Sequence, residues 1–185
     1  MTDLRFKRTE RNIQQAFMEL LKTTSFEDIS ITRLIDKAMI TRPTFYDHYA
    51  NLAELAETMI SHYLVPFKRI FAQAHDTKYQ QISPVQFYQK VSPEIAKALI
   101  DQRDEYDLIR AISLGTHNFD YQLKDIVLKF LQPFYTNSPS KLAVYLYPNI
   151  LLAELDYVLN EQRVPTFEEL RITLQGMLNS VAGNR

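Results

Sequence analysis

The chain has 185 residues, 46% of them hydrophobic and 23% charged, which describes a sequence folded throughout and long enough to bury a core. It contains no cysteine, which excludes disulfides, thiol nucleophiles and cysteine metal sites. Its net charge is −1, and residues 1–60 hold eight Lys/Arg against nine Asp/Glu, so contact with a nucleic acid must depend on local placement of positive groups.

Met1 to Glu10 is polar and basic and lacks the apolar core of a signal peptide, so a cytoplasmic location is expected. Ile13, Ala16, Phe17, Leu20 and Leu21 then recur at helical spacing, with Arg5, Lys7, Arg8 and Arg11 preceding or opening that helix. Phe26 and Ile29 are apolar plugs in the loop that follows. Ser30 is an N-cap for a short second helix whose apolar face is Ile31, Leu34, Ile35 and Ala38. After Met39-Ile40, Thr41 offers another N-cap, and Pro43 falls in the first turn, where its missing N–H costs nothing. A third short helix is predicted from Arg42 to about Tyr49, with Phe45 and Tyr49 on its inner side.

A fourth helix starts near Leu52, and Pro66 kinks or ends it. Further helices are predicted near 84–101, 104–114, 119–135, 140–162 and 166–181, the last opening on a Thr166-x-x-Glu169 capping box. The longest apolar stretch, Ala143 to Leu155, is interrupted by Pro148, Asn149 and Glu154. It falls short of the ~20 residues that span a bilayer, and reads as a buried helix with no membrane partner. Only three glycines occur, where strand-rich folds need many for turns. The fold class expected is therefore all-α.

Three helices in the first 50 residues, the second and third short and closely joined, have the outline of a helix-turn-helix. In that motif the later helix enters the major groove and presents its N-terminal side chains to base edges. Arg42, Pro43 and Thr44, beside the capping Thr41, are then placed to meet bases, and a bidentate arginine–guanine pair is worth ~1–3 kcal/mol of discrimination. Tyr46 and His48 are placed to meet phosphate oxygens, and Thr32 and Arg33 the backbone or a flanking base.

The strings Ile13-x-x-Ala16-Phe17-x-x-Leu20, Phe26-x-x-Ile29-Ser30-Ile31-x-x-Leu34-Ile35 and Thr41-Arg42-Pro43-Thr44-Phe45-Tyr46-x-His48-Tyr49, with Leu55, have a familiar order. On them, Arg11 to Ile60 resembles the DNA-binding domain of the TetR/AcrR family of transcription regulators. The resemblance implies base contacts from Arg42, Pro43 and Thr44 and phosphate contacts from Tyr46 and His48. Two positions depart from it. Met39 stands where the family has glycine, which asks a methionine to adopt a left-handed conformation at ~1 kcal/mol. Leu52 stands where a lysine opens the fourth helix and grips a phosphate.

The division implied is 1–50 as the helix-turn-helix domain and 51–185 as a helical ligand-binding and dimerisation domain. Sixteen of the 22 aromatic residues fall after residue 60. Phe67, Phe71, Phe87, Tyr88, Tyr106, Phe130 and Phe134 are the candidates for lining a pocket, the other reading being plain core. The resemblance implies a dimer built on the last two helices. Leu146, Ile150, Ala153, Tyr157, Leu170, Leu174, Met177 and Leu178 supply apolar faces on both.

The expected protein is a homodimeric repressor, released from near-palindromic double-stranded operator DNA by a small hydrophobic or aromatic effector. In the alternative, the second half binds a protein partner instead of a ligand. No metal, cofactor or enzymatic activity is expected. The histidines show no paired spacing, no phosphate loop occurs, and Ser138-x-x-Lys141 is too short a match to carry chemistry.

Overall fold

The computed structural model describes residues 4–73, 84–135 and 142–182, and among them the chain is helical throughout, as expected. The helices are α1 (Leu4–Leu21), α2 (Ile31–Ala38), α3 (Arg42–Tyr46), α4 (Leu52–Tyr63) and α5 (Val65–Gln73). They continue as α6 (Pro84–Asp101), α7 (Arg103–Arg110), α8 (Phe119–Tyr135), α9 (Ala143–Glu161) and α10 (Phe167–Ala182). Single 3₁₀ turns occupy Phe26–Asp28 and Gly115–His117. None of the described helices is long and apolar enough to cross a membrane.

Packing divides the chain into two compact units, Met1–Lys68 with Arg103–Ile126, and Arg69–Gln102 with Val127–Arg185. The helix-turn-helix segment belongs to the first. Its core is the apolar stripe of α1, Ile13 and Phe17, closed by Leu34 of α2, Phe45 of α3, and Leu55 and Ile60 of α4, all fully buried. Behind it lies a ring cluster. Tyr106 of α7 packs edge-on against Tyr63, Phe67 and Phe119, at centroid separations of 5.2, 6.2 and 5.8 Å. Its hydroxyl donates to the Tyr63 carbonyl at 3.1 Å, and burial pushes the phenol up to about 12. Arg110 grips Asp120 with two bonds of 2.8 and 3.0 Å, joining the end of α7 to the start of α8.

In the second unit α6 packs against α9, with Val91, Ala96, Leu99, Leu155, Val158 and Leu159 buried. Gln162 ends α9 in a left-handed conformation, φ 55°. The predicted capping box then forms. Thr166 Oγ1 accepts from the Glu169 amide at 3.1 Å, and the Glu169 carboxylate accepts from the Thr166 amide at 2.7 Å. Arg163 reaches the same carboxylate with bonds of 3.0 and 2.7 Å, and its guanidinium lies over the Tyr157 ring. That bidentate grip, and next the Thr166 amide, hold the Glu169 carboxyl down at about 2.

Two helix ends and one assignment of burial differ from the sequence expectation. α3 ends at Tyr46, with Asp47 to Tyr49 continuing as a turn whose His48 and Tyr49 amides bond back to the Phe45 carbonyl. α7 stops at Arg110, short of the expected 114, with the Ile112 amide bonding back to the Ile109 carbonyl in a closing turn. The apolar start of α9 is not buried in the single chain, since Tyr145, Leu146 and Tyr147 are all exposed.

Candidate nucleic-acid interface

The short helices of the head are set by their caps. Ser30 Oγ accepts from the Arg33 amide at 3.3 Å and starts α2. Thr41 Oγ1 accepts from the Thr44 amide at 3.3 Å, bonds the Thr44 hydroxyl at 2.8 Å, and starts α3 with Pro43 in its first turn. Between them Met39, standing where the resemblance implies a glycine, takes up a left-handed conformation, φ 54° and ψ 47°, and the residue is 92% exposed. Its amide returns to the Asp36 and Ile35 carbonyls, which turns the chain sharply from α2 into α3.

This geometry sorts α3 into two sides. Phe45 is fully buried, and Tyr49 just beyond it is nearly so. Thr41, Arg42, Pro43 and Tyr46 are exposed, while Thr44 and His48 are half-buried. The leading edge thus carries the donors of Thr41, Arg42 and Tyr46 around Pro43, with an apolar anchor behind it. The Arg42 guanidinium donates to Thr32 Oγ1 at 2.8 Å, so the start of α2 steadies the first side chain of α3, which is itself exposed. Arg33 bonds within its own neighbourhood, to Thr24 Oγ1 at 3.1 Å and the Asp28 carbonyl at 3.5 Å, and so ties α2 to the preceding loop.

The far end of α3 is held by α1. Gln14 Nε2 donates to the Tyr49 hydroxyl at 3.0 Å, and burial pushes that phenol up against the lowering effect of this bond. The Phe6 ring stacks on the His48 imidazole, centroids 3.8 Å apart and planes 24° from parallel. Arg5, Lys7, Arg8 and Arg11 lie on α1 itself, all exposed. At the start of α4, Asn51 caps the Glu54 amide at 2.9 Å, and Leu52 is half-buried.

Of the pocket candidates, Phe67 and Tyr106 belong to the ring cluster of the first unit. Phe71 and Phe130 are buried together in the second, centroids 5.0 Å apart. The side chains of Phe87, Tyr88 and Phe134, and the Ser138-x-x-Lys141 string, lie outside the described residues. A surface cleft of about 410 Å³ that no sequence signal indicated is lined by Glu57, Ser61, Thr116, His117, Tyr121 and Gln122, with His117 Nδ1 2.8 Å from Glu57.

On α9 and α10 none of the eight dimer candidates is buried. Leu174, Met177 and Leu178 are 40%, 62% and 71% exposed, and Ile172, Tyr145 and Tyr147 extend the uncovered apolar surface.

The helical order and the capped head define a fold seen in other proteins. Two solved structures share it. NalD, the secondary repressor of the MexAB-OprM multidrug efflux pump in Pseudomonas aeruginosa, superposes with a TM-score of 0.63 at 14% identity, over 86% of this chain and 85% of that one. A gamma-butyrolactone receptor, an ArpA-like protein, superposes with a TM-score of 0.55 at 18% identity, over 96% and 99%. In sequence, 59 residues are 44% identical to an uncharacterized HTH-type transcriptional regulator, YxbF, of Bacillus subtilis (strain 168). That segment is 31% of this chain and 16% of the relative's length. No family model matches the chain.

Proposed function

We propose that the chain is a homodimeric, DNA-binding transcription regulator, a repressor that binds near-palindromic operator DNA through α3. The observation that carries this reading is the two-sidedness of α3, with Arg42, Pro43 and Tyr46 exposed over a fully buried Phe45. A helix that short gains nothing from propensity alone and is held in place by tertiary contacts, which frees its outer edge for recognition. In this reading Arg42 pairs with a guanine, with Thr32 bracing it from behind. Pro43 and Thr44 meet neighbouring base edges, with Thr41 beside them, and Tyr46 and His48 bond phosphates. Arg33 meets the backbone at the flank.

The uncovered faces of α9 and α10 support pairing of two copies through Leu146, Ile150, Ala153, Tyr157, Leu170, Leu174, Met177 and Leu178. Two-fold pairing would present two copies of α3 about 34–36 Å apart, the repeat of one DNA turn. Residues 51–185 would then carry regulation. A small hydrophobic or aromatic effector would lower operator affinity by binding the DNA-incompetent spacing more tightly. The aromatic content of this half and its likeness to a structure described as a receptor support that assignment. The test is a salt-dependent gel shift with Arg42→Ala and Tyr46→Phe. Both changes should weaken binding, the first with relaxed sequence preference. Two variants that bind as the wild type does would refute the site.

A further inference from the structure

Phe6 lies near the start of α1, seven residues before Ile13 and so on the same helical stripe, yet it remains 39% exposed. Its ring is spent on His48, 42 positions away, in a near-parallel stack at 3.8 Å. Two turns further along α1, Gln14 holds the hydroxyl of the adjoining Tyr49. One helix therefore fixes two successive side chains just beyond α3. The stack also closes off part of the imidazole. His48 Nδ1 is buried and has no hydrogen-bond partner, whereas the residue as a whole is half-buried.

That buried nitrogen decides the tautomer. A proton on Nδ1 would leave an N–H donor unmet away from water, which costs more than an unmet lone pair. The proton therefore sits on Nε2, the ring nitrogen that reaches the surface. We propose that Phe6 is a positioning residue for His48, its stacked ring fixing the imidazole plane and presenting Nε2–H outward as a ready donor to a DNA phosphate. The proposal rests on the DNA-binding reading above. Its physical effect is preorganisation, because an imidazole already held in its bound orientation loses less rotamer freedom when it meets the phosphate.

The test combines a spectroscopic signature with a coupling measurement. In nitrogen-resolved NMR of the neutral ring, His48 should show only the Nε2–H tautomer, with ring protons shifted upfield by the Phe6 ring. Phe6→Leu should abolish that upfield shift and admit the second tautomer. It should also weaken binding to a duplex selected from random DNA by roughly three- to tenfold, the worth of one ordinary hydrogen bond. Phe6→Tyr, which keeps an aromatic face, should restore both signals. In a His48→Ala background, Phe6→Leu should cost nothing further. A Phe6→Leu protein that binds as the wild type does, or that loses the same factor with and without His48, would overturn the proposal. Wild-type affinity in His48→Ala would remove the phosphate contact, and the proposal with it. Arg42→Ala still tests base reading separately, so the two failures can be told apart.

Discussion

The head and the last helix solve opposite problems. In the head, α1, α2 and α4 use their apolar residues against one another, and the surface left on α3 is a polar edge of capped, braced side chains. In α10 every residue from 171 to 180 is exposed, and apolar side chains are among the most exposed of them. The first region is complete as a single chain and offers hydrogen bonds. The second leaves apolar side chains uncovered in the single chain and offers hydrocarbon. Hydrogen-bond donors at fixed positions suit a patterned partner such as base edges, whereas a bare apolar stripe suits a matching stripe.

The sharpest way to break this contrast is to charge the stripe. Met177→Glu with Leu178→Glu should convert a dimer to a monomer in sedimentation without disturbing the head. Operator affinity should then fall on the order of a hundredfold or more, since two linked heads act as one bivalent ligand. A charged variant that still sediments as a dimer would move the interface elsewhere.

Next in size is the ring cluster behind the head. Tyr106→Ala empties a fully buried site and should cost about 3–5 kcal/mol in denaturant unfolding, whereas Tyr106→Phe loses only the bond to the Tyr63 carbonyl and should cost about 1 kcal/mol. Similar costs for both would show that the ring is not packed as described.

A smaller effect of opposite sign is expected at the turn. Met39→Gly removes a side chain from a left-handed conformation and should stabilise the protein by about 1 kcal/mol, read as a higher melting temperature. A loss of stability would mean that Met39 contributes contacts that outweigh its strain.

The smallest effect belongs to the α9–α10 corner. The Glu169 carboxyl is held at about 2 against an ordinary 4.5, so its contribution is present above 4.5 and is lost as pH falls toward 2. Glu169→Gln should therefore lower stability modestly at neutral pH and flatten the acid limb, the two proteins converging as pH falls toward 2. An unchanged acid limb would contradict the Arg163 grip.

Much of this architecture was legible in the sequence because it depends on local chemistry. Ser30, Thr41 and the Thr166–Glu169 box are capping signals readable from neighbours three residues away, and each cap forms. Met39 was legible through the resemblance alone, since it stands where that family has glycine, and it takes the left-handed conformation. What the sequence did not reveal is carried by long-range contacts. Phe6 with His48 and Gln14 with Tyr49 join residues 42 and 35 positions apart, and no periodicity encodes such pairs. Helix ends differ from the sequence expectation where a turn carries the hydrogen-bond pattern on, as after Tyr46 and after Arg110. The start of α9, expected to be buried, is exposed, because an apolar run carries no signal of which of its residues face a core.

The most direct test of the central claim, that paired copies of α3 read DNA with their leading edges, is selection of bound duplexes from a random pool. The account predicts enrichment of two inverted half-sites whose centres lie one helical turn or a multiple of it apart, ~10–10.5 base pairs per turn, with guanines that lose their enrichment when Arg42→Ala protein is used. A pool that shows no enriched motif, or a single unpaired motif indifferent to Arg42, would contradict it.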